Sequence, residues 1–309
     1  MSAVSQAIEA VENKLPAIGR KLGEPMKNHT SFGIGGPVRA MFFPATAQEF
    51  SELFALLRKY GITPLIIGNG TNLLVEDPPL DIIAIKTAKL DGITHSGGSD
   101  IIAECGALLS GLAVFACGLG LSGLEFAHGI PGTLGGAVSM NAGAYGAEIK
   151  DVVIRTEAIS PEQSVFTVSG EEHQFSYRKS RFSDGGHVIL SSLLRLQAGD
   201  RISISAKMDE LRSRRQNSQP LNQLSAGSTF KRPSRGYAAE LIEKSGLKGF
   251  TIGRAQVSEK HAGFIINLGG ASFSDVIAVI EHVQKTVLAA HGIDLEPEVK
   301  IVRRRDIAV

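Results

Sequence analysis

Cysteine is scarce: the 309 residues include only Cys105 and Cys117, with no CxxC and no Cys/His cluster around them. That argues against a zinc framework or a disulfide scaffold and reads as two buried thiols in a reducing compartment. A charge excess is also missing. The 32 Lys and Arg are balanced by 31 Asp and Glu, a net charge of +1, so no global field draws the chain to nucleic acid or membrane. The opening stretch, MSAVSQAIEAVENKLPAIGRKLG, is amphipathic and charged. It lacks the apolar core and cleavage site of a signal peptide, so a cytoplasmic location is expected. One uncharged run, between Glu104 and Glu125, is nominally long enough to span a bilayer. Five glycines and two serines interrupt it. It reads instead as a buried helix from Leu108 to Cys117, closed by the glycines of GLGLSG. The zone 201–235 carries eight Lys/Arg against two Asp/Glu but only Phe230 as an aromatic. Stacking platforms for single-stranded nucleic acid are therefore absent from it.

What is present is an ordinary globular balance, 43% apolar and 20% charged, with glycine high at 35 residues. The length suits two or three modest domains. Residues 2–22 read as one helix. TSFGIGGP leads into a strand, VRAMFFPA, and 47–61 has apolar residues at helical spacing before a terminal glycine. PLIIGNGTNLLVED reads as strand, glycine turn, strand, and 81–87 and 100–107 as further strands. The segment 123–153 holds seven glycines and few candidates for regular structure. A long glycine loop in a compact domain is usually functional or disordered. Disorder would expose Leu124, Phe126, Ile130, Leu134, Val138 and Met140, which favours function. Residues 153–198 return to strands, and 201–235 reads as linker-like. Then come a helix in YAAELIEKSG, two strands, a long amphipathic helix from Ser272 to Gly292 and a final strand in PEVKIVRR. A boundary near residue 200 is expected.

Five short stretches carry candidate chemistry. Gly68-Asn69-Gly70-Thr71-Asn72 can form an anion nest for a pyrophosphate. It is no Rossmann fingerprint, because a strand rather than a helix follows; a tight hairpin turn fits it as well. In GIPGTLGGAVSMNAGAYG the glycines let the backbone approach a flat ligand, and Asn141 offers it a hydrogen bond. Arg178 in YRKSRF would matter if it pointed inward, where its fork could clamp a carboxylate. Ser228 in GSTFKRP sits beside two cations without the GxSxG context of a hydrolase, and an ordinary polar turn is the better reading of this stretch alone. Glu296, Glu298 and Lys300 share a face if LEPEVK is a regular strand, and an exposed charged edge is the better reading of most such strands.

Taken together these stretches resemble one family, the UDP-N-acetylenolpyruvoylglucosamine reductases (MurB). NHTSFGIGGP, IIGNGTNLLV, GLEFAHGIPGTLGGAVSMNAGAYGAEIKDV, YRKSRF, GSTFKRP, LIEKSGLKGFTIGRAQVSEKHAGFIIN and LEPEVK occur in the family's order from about residue 28 to 303. The resemblance implies an α+β fold. An FAD-binding domain of the flavin oxidase type (PCMH/VAO-like) would occupy 1–200, in two subdomains of roughly 1–88 and 89–200. A C-terminal α+β substrate domain would occupy 201–309. No tyrosine-bearing insertion separates YRKSRF from GSTFKRP, which points to the shorter of the family's two types. Carried over by motif, Ser228 matches the proton donor, and Arg178 with Glu298 the pair that polarises the substrate carboxylate. Gly68, Asn69, Gly70, Thr71 and Asn72, with Pro131, Gly132, Thr133, Gly136, Asn141 and Ala142, match the segments that cradle FAD. Lys231 and the basic zone around it, Arg232 included, match the side that takes the substrate diphosphate and, in turn, NADPH, and Tyr177 is a further substrate-binding match. No metal is implied. Three departures stand out: Asn69 in a usually all-glycine turn, His128 where a smaller residue is expected, and Arg232 where asparagine is frequent.

The implied reaction reduces the enol ether of UDP-N-acetylglucosamine enolpyruvate with NADPH, through non-covalently bound FAD, in a monomer. Negative charge develops beside the substrate carboxylate, where the fixed cation of Arg178 would stabilise it. Glu298 would help only as a protonated donor or by positioning another group, since a carboxylate would repel that charge. Two other readings compete. A flavin oxidase of the same fold would not need Arg178, Ser228 and Glu298 together. A UDP-sugar-binding regulator without catalysis would be colourless.

Overall fold

The computed structural model describes residues 2–162 and 164–304. Two compact units emerge. One holds the chain up to Leu22, Ala40–Asn69 and Ile82–Arg214; the other holds Gly23–Arg39, Gly70–Asp81 and the chain from Arg215 onward. This division does not follow the single cut expected at residue 200.

The first unit contains two sheets. A four-stranded sheet runs in the order Gly19–Leu22, Val38–Phe43, Leu80–Lys86, Leu65–Ile67. Helix Ala47–Lys59 covers part of it. Thr46 caps that helix by accepting from the Glu49 amide, and Phe50, Leu53, Phe54 and Leu57 form its buried stripe. A five-stranded antiparallel sheet follows in the order Val165–Ser169, Val153–Ile159, Val188–Arg195, Asp100–Glu104, Ile93–Gly97. The uncharged run becomes helix Leu109–Gly118, its Leu112, Ala113, Ala116 and Cys117 buried. Among the described residues no helix is long and apolar enough to cross a membrane. Both cysteines are buried.

The second unit is an antiparallel sheet, Leu224–Ser228, Phe264–Asn267, Ala255–Val257, Thr251–Ile252, packed by helix Phe273–His291. Ser272 and Asp275 form a reciprocal capping box at that helix's start, and Gly292 closes it at φ 65°. Strand Lys300–Val302 pairs in parallel with Leu73–Val75. Phe32, Ile34 and Leu74 therefore enter the same core as Ile242, Ile265 and Val283, although far from them in sequence.

Several sequence expectations are corrected. The first helix is Ala3–Lys14 rather than 2–22. Pro16 cannot continue it, and Gly19–Leu22 becomes an edge strand against Val38–Phe43. The two strands around Gly68–Asn72 do not form a hairpin: Leu65–Ile67 pairs with Leu80–Lys86, and Leu73–Val75 with Lys300–Val302. The glycine segment contains a short helix, Leu134–Ser139. The linker-like zone contains an 18-residue helix, Arg201–Ser218. Its buried residues are only Ile204, Met208 and Leu211, a narrow stripe that the surrounding charge conceals.

Candidate active site

In the first unit, two glycine-bearing segments meet. The Asn69 side-chain Nδ2 donates to the Pro131 carbonyl at 2.6 Å. A Cβ at Gly68 would lie 2.3 Å from Thr133 Oγ1, so any larger residue there would have to displace the Thr133 side chain. The 131–136 segment is fixed from the opposite side. The Leu134 and Gly135 amides donate to the carbonyls of Ala107 and Cys105, and Gly132 accepts from Leu109. Ala142 is buried, its amide bonded to the Ala137 carbonyl and its own carbonyl to the Ile149 amide. Gly136 is exposed and would present bare backbone. The Cys105 thiol beneath this segment is pushed up to about 12 by burial and by Glu104, so it is a packing group, not a nucleophile.

Asn141 is anchored within the protein. It is fully buried at φ 44°, and its amide donates to Glu148 Oε2 (3.1 Å) and the Ser176 carbonyl (3.0 Å) while its oxygen accepts from the Lys150 amide (3.2 Å). Its side chain is spent on shaping two loops. The second of these loops carries Arg178, at φ 55° within a tight turn closed by Ser176 and Lys179. Arg178 is half-buried, and its Nη2 donates to the Gly143 carbonyl at 3.4 Å. Tyr177 is exposed, and its ring lies 5.2 Å from the Arg178 guanidinium carbon. Burial acts to raise the Glu148 carboxyl, but Lys150, Asn141 and Arg178 outweigh it and hold the group below its ordinary value.

In the second unit, Ser228 and Glu298 belong to adjoining segments. The Glu298 amide donates to the Thr229 carbonyl (2.7 Å) and the Lys231 amide to the Glu296 carbonyl (2.8 Å), around a bridge between Phe230 and Pro297. The regular strand begins only at Lys300, so the 296–300 face read from alternation is replaced by two successive pairings. Asn72 spans both: its side chain donates to the Glu298 carbonyl (3.1 Å) and its carbonyl accepts from the Lys300 amide (3.0 Å). Gly70, at φ 66°, sits against the His29 carbonyl, where a Cβ would lie 1.9 Å from the oxygen. Its own carbonyl accepts from Ser31. Thr71 is half-buried. Lys231 pairs with the exposed Glu296, and the Arg232 guanidinium lies 4.3 Å from the centre of the Tyr237 ring.

Sequence reasoning missed Thr229. It is buried, its amide donates to Gly263, its hydroxyl accepts from Ile265, and its carbonyl holds Glu298. Its position next to Ser228 was the available signal.

The residues present fit FAD. His128 Nδ1, at the entry to the 131–136 segment, is buried and has no hydrogen-bond partner among the described residues. Such an atom calls for a bound polar group. The crowded glycines beside an exposed glycine backbone suit a flat ligand with phosphates.

This is the α+β FAD-binding class, in which a flavin domain of the oxidase type is joined to a substrate domain. Residues 38–169 match the FAD binding domain, and residues 219–302 match the C-terminal domain of UDP-N-acetylenolpyruvoylglucosamine reductase. A relative of that name from Caldanaerobacter subterraneus subsp. tengcongensis is 49% identical over 281 residues, covering 91% of this chain and 93% of that protein. One from Clostridioides difficile is 45% identical over 282 residues, covering 91% and 93%. The crystal structure of the Thermus caldophilus reductase superposes with a TM-score of 0.79 at 32% identity, covering 93% of this chain and 99% of that one. The chain belongs to the UDP-N-acetylenolpyruvoylglucosamine reductase family and is an FAD-dependent oxidoreductase of its shorter type.

Proposed function

We propose that the protein reduces UDP-N-acetylglucosamine enolpyruvate to UDP-N-acetylmuramate with NADPH, a step in making peptidoglycan precursors. The observation that carries this reading is the pairing of the Ser228 and Glu298 segments through Thr229. The family's proton donor and carboxylate-polarising acid fall on those two segments. Bound FAD supplies hydride transfer from NADPH to the substrate's terminal carbon.

The chain's own residues handle the proton and the charge. Ser228 holds a proton for the carbon that bears the carboxylate, where a strongly basic centre develops. Arg178, ordered by Gly143 and Tyr177, offers a cation to the charge that spreads onto the carboxylate. Glu298 is held through its backbone by Thr229 and Asn72, which fixes where its carboxyl begins. Gly68, Asn69, Pro131, Gly132, Thr133, Gly136 and Ala142, together with Gly70, Thr71 and Asn72, form the cofactor segments. Lys231 and Arg232 serve the nucleotide diphosphate, and Tyr177 serves the substrate; Lys231 would exchange Glu296 for a phosphate oxygen. The protein acts as a monomer in the cytoplasm, with the nucleotide sugar and NADPH as its partners rather than nucleic acid or membrane. The net charge of +1 supports that.

Anaerobic absorbance separates the two half-reactions. In Ser228→Ala, bleaching of the flavin by NADPH stays within about twofold, while recovery on adding the enolpyruvyl sugar slows by roughly a hundredfold or more. If both rates fall together, Ser228 is structural. A wild-type protein that binds no FAD would end the flavin reading altogether.

A further inference from the structure

The turn between strands Ala255–Val257 and Phe264–Asn267 contains Ser258, Glu259, Lys260, His261, Ala262 and Gly263. It is built from side chains. The buried Ser258 hydroxyl accepts from the amides of Lys260 (3.2 Å) and His261 (3.3 Å). The ring of His261 folds back so that Nδ1 accepts from the Gly263 amide at 3.1 Å. The ring also packs edge-on against Phe264, centroids 5.0 Å apart at 72°. A Cβ on Gly263 would lie 3.0 Å from the His261 ring and 3.3 Å from Ala239 Cβ, so a larger residue would press on the ring.

This turn touches the proton-donor strand at two points. The Gly263 carbonyl accepts from the Thr229 amide at 2.8 Å. Phe264, against which the imidazole packs, is the register partner of Ser228. Thr229 in turn carries Glu298 on its carbonyl. A chain of hydrogen bonds thus runs from the imidazole through Gly263 to Thr229 and on to Glu298, and Ser228 is the residue just before Thr229.

We propose that His261 is a positioning residue for the substrate-reducing half-reaction: by accepting the Gly263 amide it fixes the carbonyl that sets Thr229, and through Thr229 it places Ser228. The inference rests on the reaction proposed above. Nδ1 accepts only while the imidazole is neutral and its proton sits on Nε2. A second proton would set an N–H against the Gly263 N–H and open the turn. Burial favours the neutral ring and lowers the group below its ordinary value; the residue's own backbone works against it, Lys248 in the same direction as burial and Glu243 against it. Glu243 on helix Ala238–Lys244 and Lys248 in the turn after it are the charges that act on the ring from the neighbouring segment, and Glu259 and Lys260 flank it on its own turn. Protonation at acid pH therefore slows the substrate step.

The bond from a side-chain δ atom to the amide two residues on is that of an Asx turn, in which asparagine Oδ1 is the acceptor. Asparagine at 261 keeps the acceptor and removes the titration. The test is anaerobic rapid mixing of FAD-loaded protein across pH, first with NADPH and then with the enolpyruvyl sugar. His261→Ala is expected to slow flavin recovery by about ten- to a hundredfold, as a misplaced reacting group does, with NADPH bleaching unchanged. His261→Asn is expected to restore the recovery rate and to lose the acid-side fall of the wild type. The proposal is overturned if His261→Ala recovers at the wild-type rate, if His261→Asn is as slow as alanine, or if asparagine keeps the wild-type acid limb. Should the alanine variant not fold, asparagine against wild type decides by the same two criteria. If the wild-type flavin never recovers with this substrate, the proposed reaction fails, a result distinct from any failure of His261.

Discussion

His173 is buried beneath the loop that carries Arg178, stacked on Phe175 with centroids 4.8 Å apart at 6°. Its Nδ1 donates to the Gly170 carbonyl at 3.0 Å, so its Nε2 must accept from the Thr156 hydroxyl at 2.9 Å. Ser192 completes the network at 2.9 Å from Thr156. The ring is neutral in this arrangement, and burial lowers its tendency to take a proton; Arg181 adds to that, while Gly170 and Glu172 oppose it. The linkage has one sign. The unfolded histidine titrates at about 6.5, so its contribution is complete above that pH and is lost as pH falls toward the lowered folded value. The thermal midpoint of the FAD-loaded protein should be flat above about pH 7 and decline below about 6.5. His173→Gln should shallow that decline; an unchanged slope would assign the acid sensitivity elsewhere. Thr156→Val, which leaves Nε2 without a donor, should cost roughly 1–3 kcal/mol in denaturant unfolding. None of this was legible in the sequence. A lone histidine between Glu172 and Gln174 gives no sign of the hydroxyls that strand pairing brings to it, whereas Ser228, Arg178 and Glu298 stood out because each lies in a distinctive short motif.

Among the elements, those with a broad apolar face were readable and those with a narrow one were not. Helix Ala47–Lys59 and helix Phe273–His291 announce themselves by wide apolar stripes and hydroxyl caps. Helix Arg201–Ser218 buries only Ile204, Met208 and Leu211 among charged and polar residues, and so resembled a linker. The stripe is nevertheless functional packing, since the Leu211 carbonyl also accepts from the Tyr145 hydroxyl at 3.2 Å, holding a loop residue at φ 56°. Leu211→Ala should cost roughly 2–3 kcal/mol by equilibrium unfolding. An exposed neighbour such as Arg212→Ala should cost under about 0.5 kcal/mol. Equal losses would mean the stripe is not buried in solution. The final strand was legible as a strand, but its parallel partner, Leu73–Val75, was not, because nothing local encodes a pairing across that separation.

At the scale of the whole molecule, the second unit draws on three separate stretches of chain. Its core needs Phe32, Ile34 and Leu74 from the first third of the sequence. Its last strand needs a partner that precedes it by more than two hundred residues. Composition placed a boundary near residue 200 because charge rises there, and composition is blind to segments that leave one unit and return to it. A fragment of residues 201–309, a plausible domain by sequence, lacks those stretches. It should show no cooperative thermal transition, and supplying it in trans with residues 1–200 should be required before any appears. A sharp transition in the isolated fragment would show that the returning segments are dispensable.

The parallel pairing of Leu73–Val75 with Lys300–Val302 also sets a schedule for synthesis. Strand Leu73–Val75 leaves the ribosome long before its partner. At about 5–20 residues per second the wait is on the order of 10–45 s. During that time Leu74 and Val75, both buried in the finished protein, have an open strand edge and no mate. Such an edge invites pairing with another nascent chain. The late arrival of the last strand thus makes the nascent protein a natural client for chaperones, and makes the yield of active enzyme more sensitive to growth temperature than its final stability would suggest.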